Sequence, residues 1–360
     1  MYISLNIFNY IIIMEYYTIK NKYFGPIILD YLKDKKITTK NYYNNIDYYN
    51  SKQCLDCLIV NQLVDVSCLG NKKKQYQNNI KYNPRGDYLP FTMFFTQNNV
   101  IQIKKNINRY KLWIVKPENG TFRRGIFIVN NYQMLVEKLK NYQWNNWIIQ
   151  QYIDKPLLYN GFKFHIRSYI LVIIDQHIIN TYLYVNGFIY LSKKRYNYNS
   201  IDESYLSGED SPNSVRNFPD DFIKTFGYDK YLYIQPQLTR IVDETIKSVK
   251  NKLSCYNTNQ INYKCYKLLG YDILIDDNYK LYLGEINVRL ITFKYPPPKF
   301  KNILYRDILD LVLYQKKSNR FKLIHSIYRS NTIEMFSNYS NQLYLLLGIF
   351  ILISIYKYII

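Results

Sequence analysis

Two acidic residues and an asparagine occupy the arms of a hairpin pattern in the C-terminal third of the chain. Apolar strand formers at 271–275 and 281–287 flank polar turn residues, and a symmetric pairing sets Asp272 opposite Glu285, with Asn287 on the same face. Like charges directly opposite each other destabilise a sheet. The pattern therefore favours a hard cation such as Mg²⁺ between them. An edge hairpin whose acids point into water is the alternative that the hairpin leaves open.

Three basic residues alternate along a second strand pattern. In residues 161–172, Lys163, His165 and Arg167 fall on one face of a strand, because side chains repeat with a period of two. Such a row is typical of an anion site, although a solvated sheet face could show it too. The apolar run 170–174 carries the strand into the core, which favours the anion site.

A third segment combines a lysine, a polar loop and a second strand. Residues 112–115 form a strand pattern that ends at Lys116, and a loop with Arg123, Arg124 and Gly125 leads into the apolar run 126–129. This order predicts a flexible flap over a nucleotide triphosphate, whose charge Lys116 and the loop cations would meet.

These segments, in this order, resemble the tubulin-tyrosine ligase-like family, whose catalytic domain has the ATP-grasp fold. The resemblance covers "WIVKP", a glycine-containing loop ending "RGI", "QxYI…PLL", "GxKFxIRxYxLV" and "LLGYDILID…LxEIN", from Trp113 to Asn287. It implies an α/β (α+β) protein with an ATP-grasp catalytic fold, a small N-terminal domain and, beyond the resemblance, a candidate membrane helix at the C-terminus.

The resemblance also implies roles for individual positions. A lysine and the flap would meet the nucleotide phosphates, a hinge would receive adenine, basic residues would serve the acceptor and the reacting phosphate, and oxygen ligands would hold Mg²⁺. The corresponding residues are Lys116, Arg123, Arg124 and Gly125; Gln150, Gln151, Tyr152 and Ile153; Lys163, His165 and Arg167; and Asp272, Glu285 and Asn287.

The chemistry implied by the resemblance is ATP-dependent ligation of a carboxylate to an amine. The carboxylate attacks the γ-phosphate to give an acyl phosphate, and a free amino acid or protein amine opens it to an amide, as in adding tyrosine, glutamate or glycine to tubulin. Fixed cations and metal suit the charge that develops on oxygen. Glutamate is the first expectation, because relatives with the compact "PLL…GxKFxIR" spacing mostly modify glutamate tails. No Ser-His-Asp or Cys-His arrangement is evident, since the three histidines show no acidic or thiol partner.

Four positions depart from the family pattern. His165 stands at an acidic position, Arg123 replaces a glycine of the flap, and Tyr190 replaces an arginine unless a cation from 193–195 takes its place. The best match to the family's "HLTN" block is 205–208, which lacks its histidine and asparagine. Two outcomes fit: a ligase for an altered substrate, or a nucleotide-binding pseudoenzyme or tubulin-binding module. Retention of the opposed acids favours activity.

The charge of the chain suggests an acidic partner. Its net charge is +21, and its 42 tyrosines could stack on bases, so a nucleic-acid-binding protein is a further alternative. Tyrosine, asparagine, isoleucine and lysine are, however, enriched everywhere, which indicates a bias of the coding genome. The acidic tail of tubulin explains a basic surface equally well, so nucleic acid is the less favoured partner.

The chain is long enough for two or three compact units. We predict a small N-terminal domain at 1–81, a central nucleotide lobe at 82–154, a larger lobe with the metal and acceptor site at 155–315, a polar linker at 316–342, and a terminal segment at 343–360. Within the larger lobe we expect a mobile substrate loop at 200–230, in which Asp220 and Asp221 open a helix, and a core helix at 238–253.

The cysteines and the C-terminus bear on location. Cys54, Cys57 and Cys68 lack a fourth zinc ligand at usual spacing, and no cleavable signal is evident, so we expect reduced thiols in the cytosol. Residues 343–360 carry a single charge and predict a tail anchor with the catalytic part facing the cytosol. A buried helix is the alternative, because the uninterrupted uncharged run is only 14 residues.

Overall fold

A computed structural model gives the architecture of the chain. It describes residues 30, 34, 59–60, 63–95, 100–118, 125–140, 147–198, 205–207, 212–255, 264–288 and 297–328. Helices and sheets both contribute, so the α+β class is confirmed. Arg123, Arg124, Cys54, Cys57 and the segment 343–360 lie outside the described residues.

Among the described residues, nine strands form a large sheet: β1 Ile59–Val60, β6 Leu158–Tyr159, β7 Phe162–Asp175, β8 Ile178–Tyr184, β9 Gly187–Leu191, β10 Val215–Phe218, β11 Lys264–Ile275, β12 Leu281–Asn287 and β13 Phe321–Tyr328. Five of them are neighbours in the order β1-β11-β7-β8-β13. In addition, β12 pairs with β11, β6 and β9 pair with β7, and β10 pairs with β9. All pairings are antiparallel except that of β1 with β11.

A smaller antiparallel sheet has the order β2-β5-β3-β4. Its strands are β2 Thr92–Phe95, β3 Trp113–Pro117, β4 Phe127–Val129 and β5 Trp147–Gln151. The strands β3 and β4 confirm the two arms predicted for the flap. The α-helices whose bounds lie within the described residues are α1 Ser67–Gly70, α2 Lys72–Tyr82, α3 Val100–Asn106, α4 Tyr132–Leu139, α5 Asp220–Phe226, α6 Tyr228–Lys247 and α7 Pro298–Tyr314.

The continuous apolar run of β7 is explained by burial on both faces of the sheet. Ile170, Val172 and Ile174 pack in a core that α6 covers, whereas Leu171 and Ile173 pack in a second core that α7 covers. Each fully buried aliphatic side chain contributes about 1.5–3 kcal/mol. A strand packed on both faces is a rigid support for the residues at its start, Lys163, His165 and Arg167, which are the basic residues predicted from the sequence.

The cleft of the molecule lies between the two sheets. The chain passes from the small sheet to the large one through Tyr152 and Ile153, directly after β5. Part of the predicted N-terminal domain joins the large sheet, because Leu63, Cys68 and Leu69 pack in the core that α6 covers. The boundary at 81 stays a prediction.

Two expectations about the larger lobe differ from the structure. The core helix is α6, which begins at Tyr228, well before 238, and contains Pro236. Within the predicted loop at 200–230, α5 does open with Asp220 and Asp221, but residues Val215–Phe218 form β10, which pairs with β9. That part of the loop prediction is wrong.

The cysteines also differ from expectation. Cys255 and Cys265 form a disulfide with their Cα atoms 5.7 Å apart, so the prediction of reduced thiols is wrong for this pair. Cys68 is a free, buried thiol, and burial raises its pKa to about 11. Among the described helices, none is long and apolar enough to cross a membrane.

Candidate active site

The cleft brings most of the predicted site residues together. Its empty volume is about 730 Å³, a figure that includes the part open to solvent. Its lining includes Lys116, Gln150, Gln151, Tyr152, Ile153, Lys163, His165, Asp272 and Glu285.

The small sheet places Lys116 against a neutral amide. The Lys116 Nζ donates to Gln150 Oε1 at 2.7 Å, and Gln150 Nε2 donates to Thr92 Oγ1 at 2.9 Å. Burial lowers the pKa of Lys116 to about 8, an effect that Glu285 and Asp272 oppose and Lys72 reinforces. Because its hydrogen-bond partner is a neutral amide, the Lys116 ammonium can attract an anion in the cleft.

The hinge is held by backbone hydrogen bonds on both sides. Gln151 N donates to Phe91 O at 2.7 Å, and Tyr152 N donates to Leu112 O at 3.1 Å. These bonds fix the wall of the cleft where adenine was expected.

Gly125 ends the predicted flap in a left-handed conformation. Its φ is +72°, and an added Cβ would come within 3.3 Å of the Trp147 ring. Glycine is the residue that adopts this conformation without strain. The loop cations Arg123 and Arg124 lie outside the described residues, so their contact with a phosphate stays a prediction.

Lys163 sits in a cage formed by two tyrosines. Its Nζ donates to the Tyr152 hydroxyl at 2.6 Å and to the Tyr205 carbonyl at 2.9 Å, and lies 3.9 Å from the centre of the Tyr152 ring. Burial lowers the pKa of Lys163 well below its usual value, and Lys116 adds to the effect. The ring and the two oxygens stabilise the ammonium against that burial.

The large sheet pairs Arg167 with Asp272 in both backbone register and side-chain contact. Arg167 Nε donates to Asp272 Oδ1, and Arg167 Nη2 donates to Oδ2 at 3.1 Å. Asn287 Nδ2 also donates to Asp272 Oδ2, at 3.0 Å. Burial alone would raise the pKa of Asp272, but Arg167, His165 and Asn287 together hold it below its usual value. Asp272 is therefore ionised in the folded protein.

The hairpin register predicted from the sequence is confirmed. Asp272 lies opposite Glu285, and the register then shifts, so that Ile273 lies opposite Leu283. Gly284 occupies the bulge, where an added Cβ would come within 2.9 Å of the Asp272 carbonyl oxygen. The bulge keeps both acids at the cleft while the rest of the hairpin enters the core.

Sequence reasoning missed a lysine at the second acid. Lys72 begins α2 and is buried, and its Nζ lies 3.5 Å from Glu285 Oε2. The preceding Asn71 caps the helix by accepting from Lys74 N, and donates to Glu118 Oε1 at 2.9 Å. Lys72 is the first of three consecutive lysines, and nothing in the local sequence shows that it reaches the hairpin.

The two acids and Asn287 fit a hard divalent cation by the chemistry of their donors. Two carboxylates opposite each other and an amide two residues along supply the oxygens that Mg²⁺ prefers. Among the described residues, no group of three or more histidine, cysteine or acidic side chains could hold a metal. Arg167 and Lys72 contact the same carboxylates and would share them with an ion.

His165 has partners that the sequence did not reveal. Its Nδ1 lies 2.8 Å from Ser207 Oγ, and its Nε2 lies 3.7 Å from Asp272 Oδ1. His325 likewise meets Asp243 at 2.6 Å, so the expectation that no histidine has an acidic partner is wrong. The line of Ser207, His165 and Asp272 is not a nucleophilic triad, because 3.7 Å is too long for a hydrogen bond and Arg167 holds the acid.

Tyr190 occupies the place where an arginine was expected. It lies opposite His165 in the register, and the Arg167 Cζ is 5.5 Å from the centre of its ring. Lys193, Lys194 and Arg195 are exposed, and Arg195 lies over Phe162 instead. None of the three takes the missing place.

Comparisons with known proteins agree with this geometry. The model of the tubulin-tyrosine ligase family matches residues 50–320. The matched relatives include a probable beta-tubulin polyglutamylase of Tetrahymena thermophila, 27% identical over 244 residues, which are 60% of this chain and 20% of the relative. A probable tubulin polyglutamylase, ttll-9, of Caenorhabditis elegans is 29% identical over 195 residues, 49% of this chain and 45% of the relative.

A third relative carries a different activity in its name. Tubulin glycylase 3C of Tetrahymena thermophila is 28% identical over 196 residues, which are 49% of this chain and 18% of the relative. The matched part of the chain thus spans less than half the length of each of these relatives.

Proposed function

The chain belongs to the tubulin-tyrosine ligase family, and we propose that it is an ATP- and Mg²⁺-dependent ligase that joins an amino acid to a protein acceptor such as tubulin. The observation that carries the proposal is the meeting of Lys116 and the opposed acids Asp272 and Glu285 in one cleft between two sheets, with Arg167 hydrogen-bonded to Asp272. This arrangement supports an ATP-grasp catalytic fold.

Each wall of the cleft has its own task in this proposal. The hinge of Gln150 to Ile153 receives adenine, and Lys116 meets the phosphates. Asp272, Glu285 and Asn287 would hold Mg²⁺, which when bound supplies positive charge beside the phosphate oxygens. Lys72 adds a further cation next to Glu285.

Arg167 and Lys163 serve the reacting centre. Negative charge develops on phosphoryl and carbonyl oxygens during ligation, and groups fixed in advance stabilise it best. Arg167 is fixed by its two bonds to Asp272, and Lys163 by its tyrosine cage. Both cations can therefore act without a large rearrangement.

Glutamate is the first amino acid that we propose. Two of the relatives described above are named as polyglutamylases and one as a glycylase, so glycine stays open, and tyrosine does as well. An acidic tubulin tail suits a chain of net charge +21. Tubulin as the partner also suits a cytosolic site of action.

A nucleotide-binding module without turnover is the second candidate. It is favoured by the ion pairs that already neutralise Asp272 and Glu285, and by His165 and Tyr190 at positions where the family has charged groups. Both candidates would bind ATP in the cleft, but only the ligase would transfer an amino acid to an acceptor.

An incorporation assay separates them. The full chain is incubated with ATP, Mg²⁺, microtubules and each radiolabelled amino acid in turn, and label in tubulin is measured. We expect incorporation that Glu285→Gln abolishes. Glu137→Gln, the same change at an exposed position of α4, serves as the matched control and should keep full activity.

The other outcomes each reject the ligase. ATP binding in calorimetry without incorporation of any amino acid would establish the module. Salt-sensitive binding of polynucleotides without ATP affinity would favour the nucleic-acid alternative.

A further inference from the structure

The ring of Tyr190 lies beneath the guanidinium of Arg167. Tyr190 is 1% exposed and lies opposite His165, while Arg167 lies opposite Phe188 on the same pair of strands. Tyr190 and Arg167 are therefore diagonal neighbours on one face, within reach of long side chains. The Arg167 Cζ lies 5.5 Å from the ring centre, inside the roughly 6 Å limit for a cation–π contact.

The ring itself has little freedom to move. Phe188 stacks on it with ring centroids 6.4 Å apart and planes 25° apart, and the His165 ring lies 5.3 Å away on the other side. The aromatic core between the large sheet and α7 includes both Phe188 and Tyr190. A ring fixed in this way can fix what it contacts.

Arg167 is thus held by two different groups. Asp272 takes the guanidinium edge in two hydrogen bonds, and Tyr190 offers it an aromatic face. A planar guanidinium can use both contacts at once, whereas an ammonium lacks the planar fork. When phosphate or Mg²⁺ competes for Asp272, the ring contact remains and keeps the guanidinium in place.

We propose that Tyr190 is a positioning residue, whose ring face holds Arg167 at the reacting centre of the ligase. The proposal rests on the ligase function for its kinetic consequence but not for its geometry. It assigns a task to a residue that the sequence marked only as the loss of an arginine. The ring carries the task, so Tyr190→Phe should keep it.

Kinetics of the full chain test the consequence. We expect Tyr190→Leu to lower kcat about tenfold, as loss of a desolvated cation–π contact allows, with KM for ATP changed less than about twofold. Tyr190→Phe should stay within about twofold of wild type in both. Tyr266→Leu removes another buried tyrosine of the same core and should leave kcat of the folded protein unchanged.

A double substitution tests whether Tyr190 acts through Arg167. In an Arg167→Met background the cation is already gone, so adding Tyr190→Leu should lower the residual kcat less than twofold further. A full tenfold further loss would show that Tyr190 acts independently of Arg167, and equal loss in Tyr190→Phe would show that the hydroxyl matters instead. Either result overturns the proposal.

A spectroscopic measurement keeps the geometry testable if the chain proves inactive. The Nε–Hε resonance of Arg167, assigned by its absence in Arg167→Lys, should carry a ring-current shift in wild type and Tyr190→Phe. That shift should be lost in Tyr190→Leu and kept in Tyr266→Leu. An Arg167 resonance that does not change in Tyr190→Leu would refute the contact whatever the ligase assay shows.

Discussion

The two walls of the cleft compensate their buried cations differently. On the small sheet, Lys116 donates to the neutral amide of Gln150 and has its pKa lowered to about 8. On the large sheet, Arg167 is neutralised by Asp272 in a two-bond ion pair. Lys116 is buried and the Arg167 side chain is 16% exposed, but the main difference is that the partner is neutral in one case and charged in the other.

This difference in partners predicts that substitutions in the large-sheet wall mainly change protein stability, and that ATP binding at the small-sheet wall depends on pH. A buried charge with a charged partner costs most when that partner is removed, so the large-sheet wall should respond to substitution through stability. A buried lysine with a neutral partner sits close to its titration point, so the small-sheet wall should respond to pH. Both walls can be tested separately.

The largest effect is expected from substitution of Asp272, which lies on the wall formed by the large sheet. Asp272→Asn leaves Arg167 buried without a charged partner, which should lower the free energy of unfolding by about 3–5 kcal/mol and abolish ligation. Urea denaturation measures the loss. Asp87→Asn, in the exposed pair with Arg240, should cost no more than about 1 kcal/mol.

A compensating change sharpens this test. Arg167→Met combined with Asp272→Asn removes both charges, so the double variant should be more stable than Asp272→Asn alone. If the single and double variants unfold at the same urea concentration, the ion pair is not what makes the wall sensitive.

The comparison between walls was only partly visible in the sequence. Alternation along 271–287 gave the pairing of Asp272 with Glu285, and alternation from Lys163 to Arg167 gave the basic face, because both are local patterns with a period of two. The apolar run of β7 likewise predicted that the strand enters the core, and the structure buries it on both faces.

The contacts of the site that the sequence did not reveal join segments that are distant in sequence. Lys72 reaches Glu285, Tyr205 receives the Lys163 ammonium, and Ser207 meets His165, yet none of these pairs is close in sequence. No local periodicity encodes such contacts, since they depend on how the sheets and the N-terminal helix pack. Recognition of the family supplied the hinge, but it could not supply partners for residues that depart from its pattern.

A smaller effect is expected from the titration of Lys116. The lysine is charged below its pKa of about 8 and neutral above it, so its attraction for phosphate is present at low pH and is lost as pH rises. The dissociation constant for ATP should therefore increase about tenfold between pH 7 and pH 9. Calorimetric titration of the full chain with ATP and Mg²⁺, in the absence of amino acid, measures it.

The matched control is Lys116→Arg, whose guanidinium stays charged across this range. Its dissociation constant should stay within about twofold from pH 7 to pH 9. An equal pH dependence in wild type and Lys116→Arg would assign the titration to another group.

The smallest effect is expected where the two walls meet the segment 205–207. Ser207→Ala removes the hydroxyl that lies 2.8 Å from His165 Nδ1 and leaves the imidazole free to turn away from Asp272. One hydrogen bond of this kind contributes about 0.5–1.5 kcal/mol, so kcat/KM should fall about two- to tenfold, and the free energy of unfolding should fall by no more than that amount. Ser207→Thr keeps the hydroxyl and should restore the rate. A loss that threonine does not restore would mean that the segment contributes packing rather than the hydrogen bond, and His165 would then have to be oriented by Tyr190 across the strands.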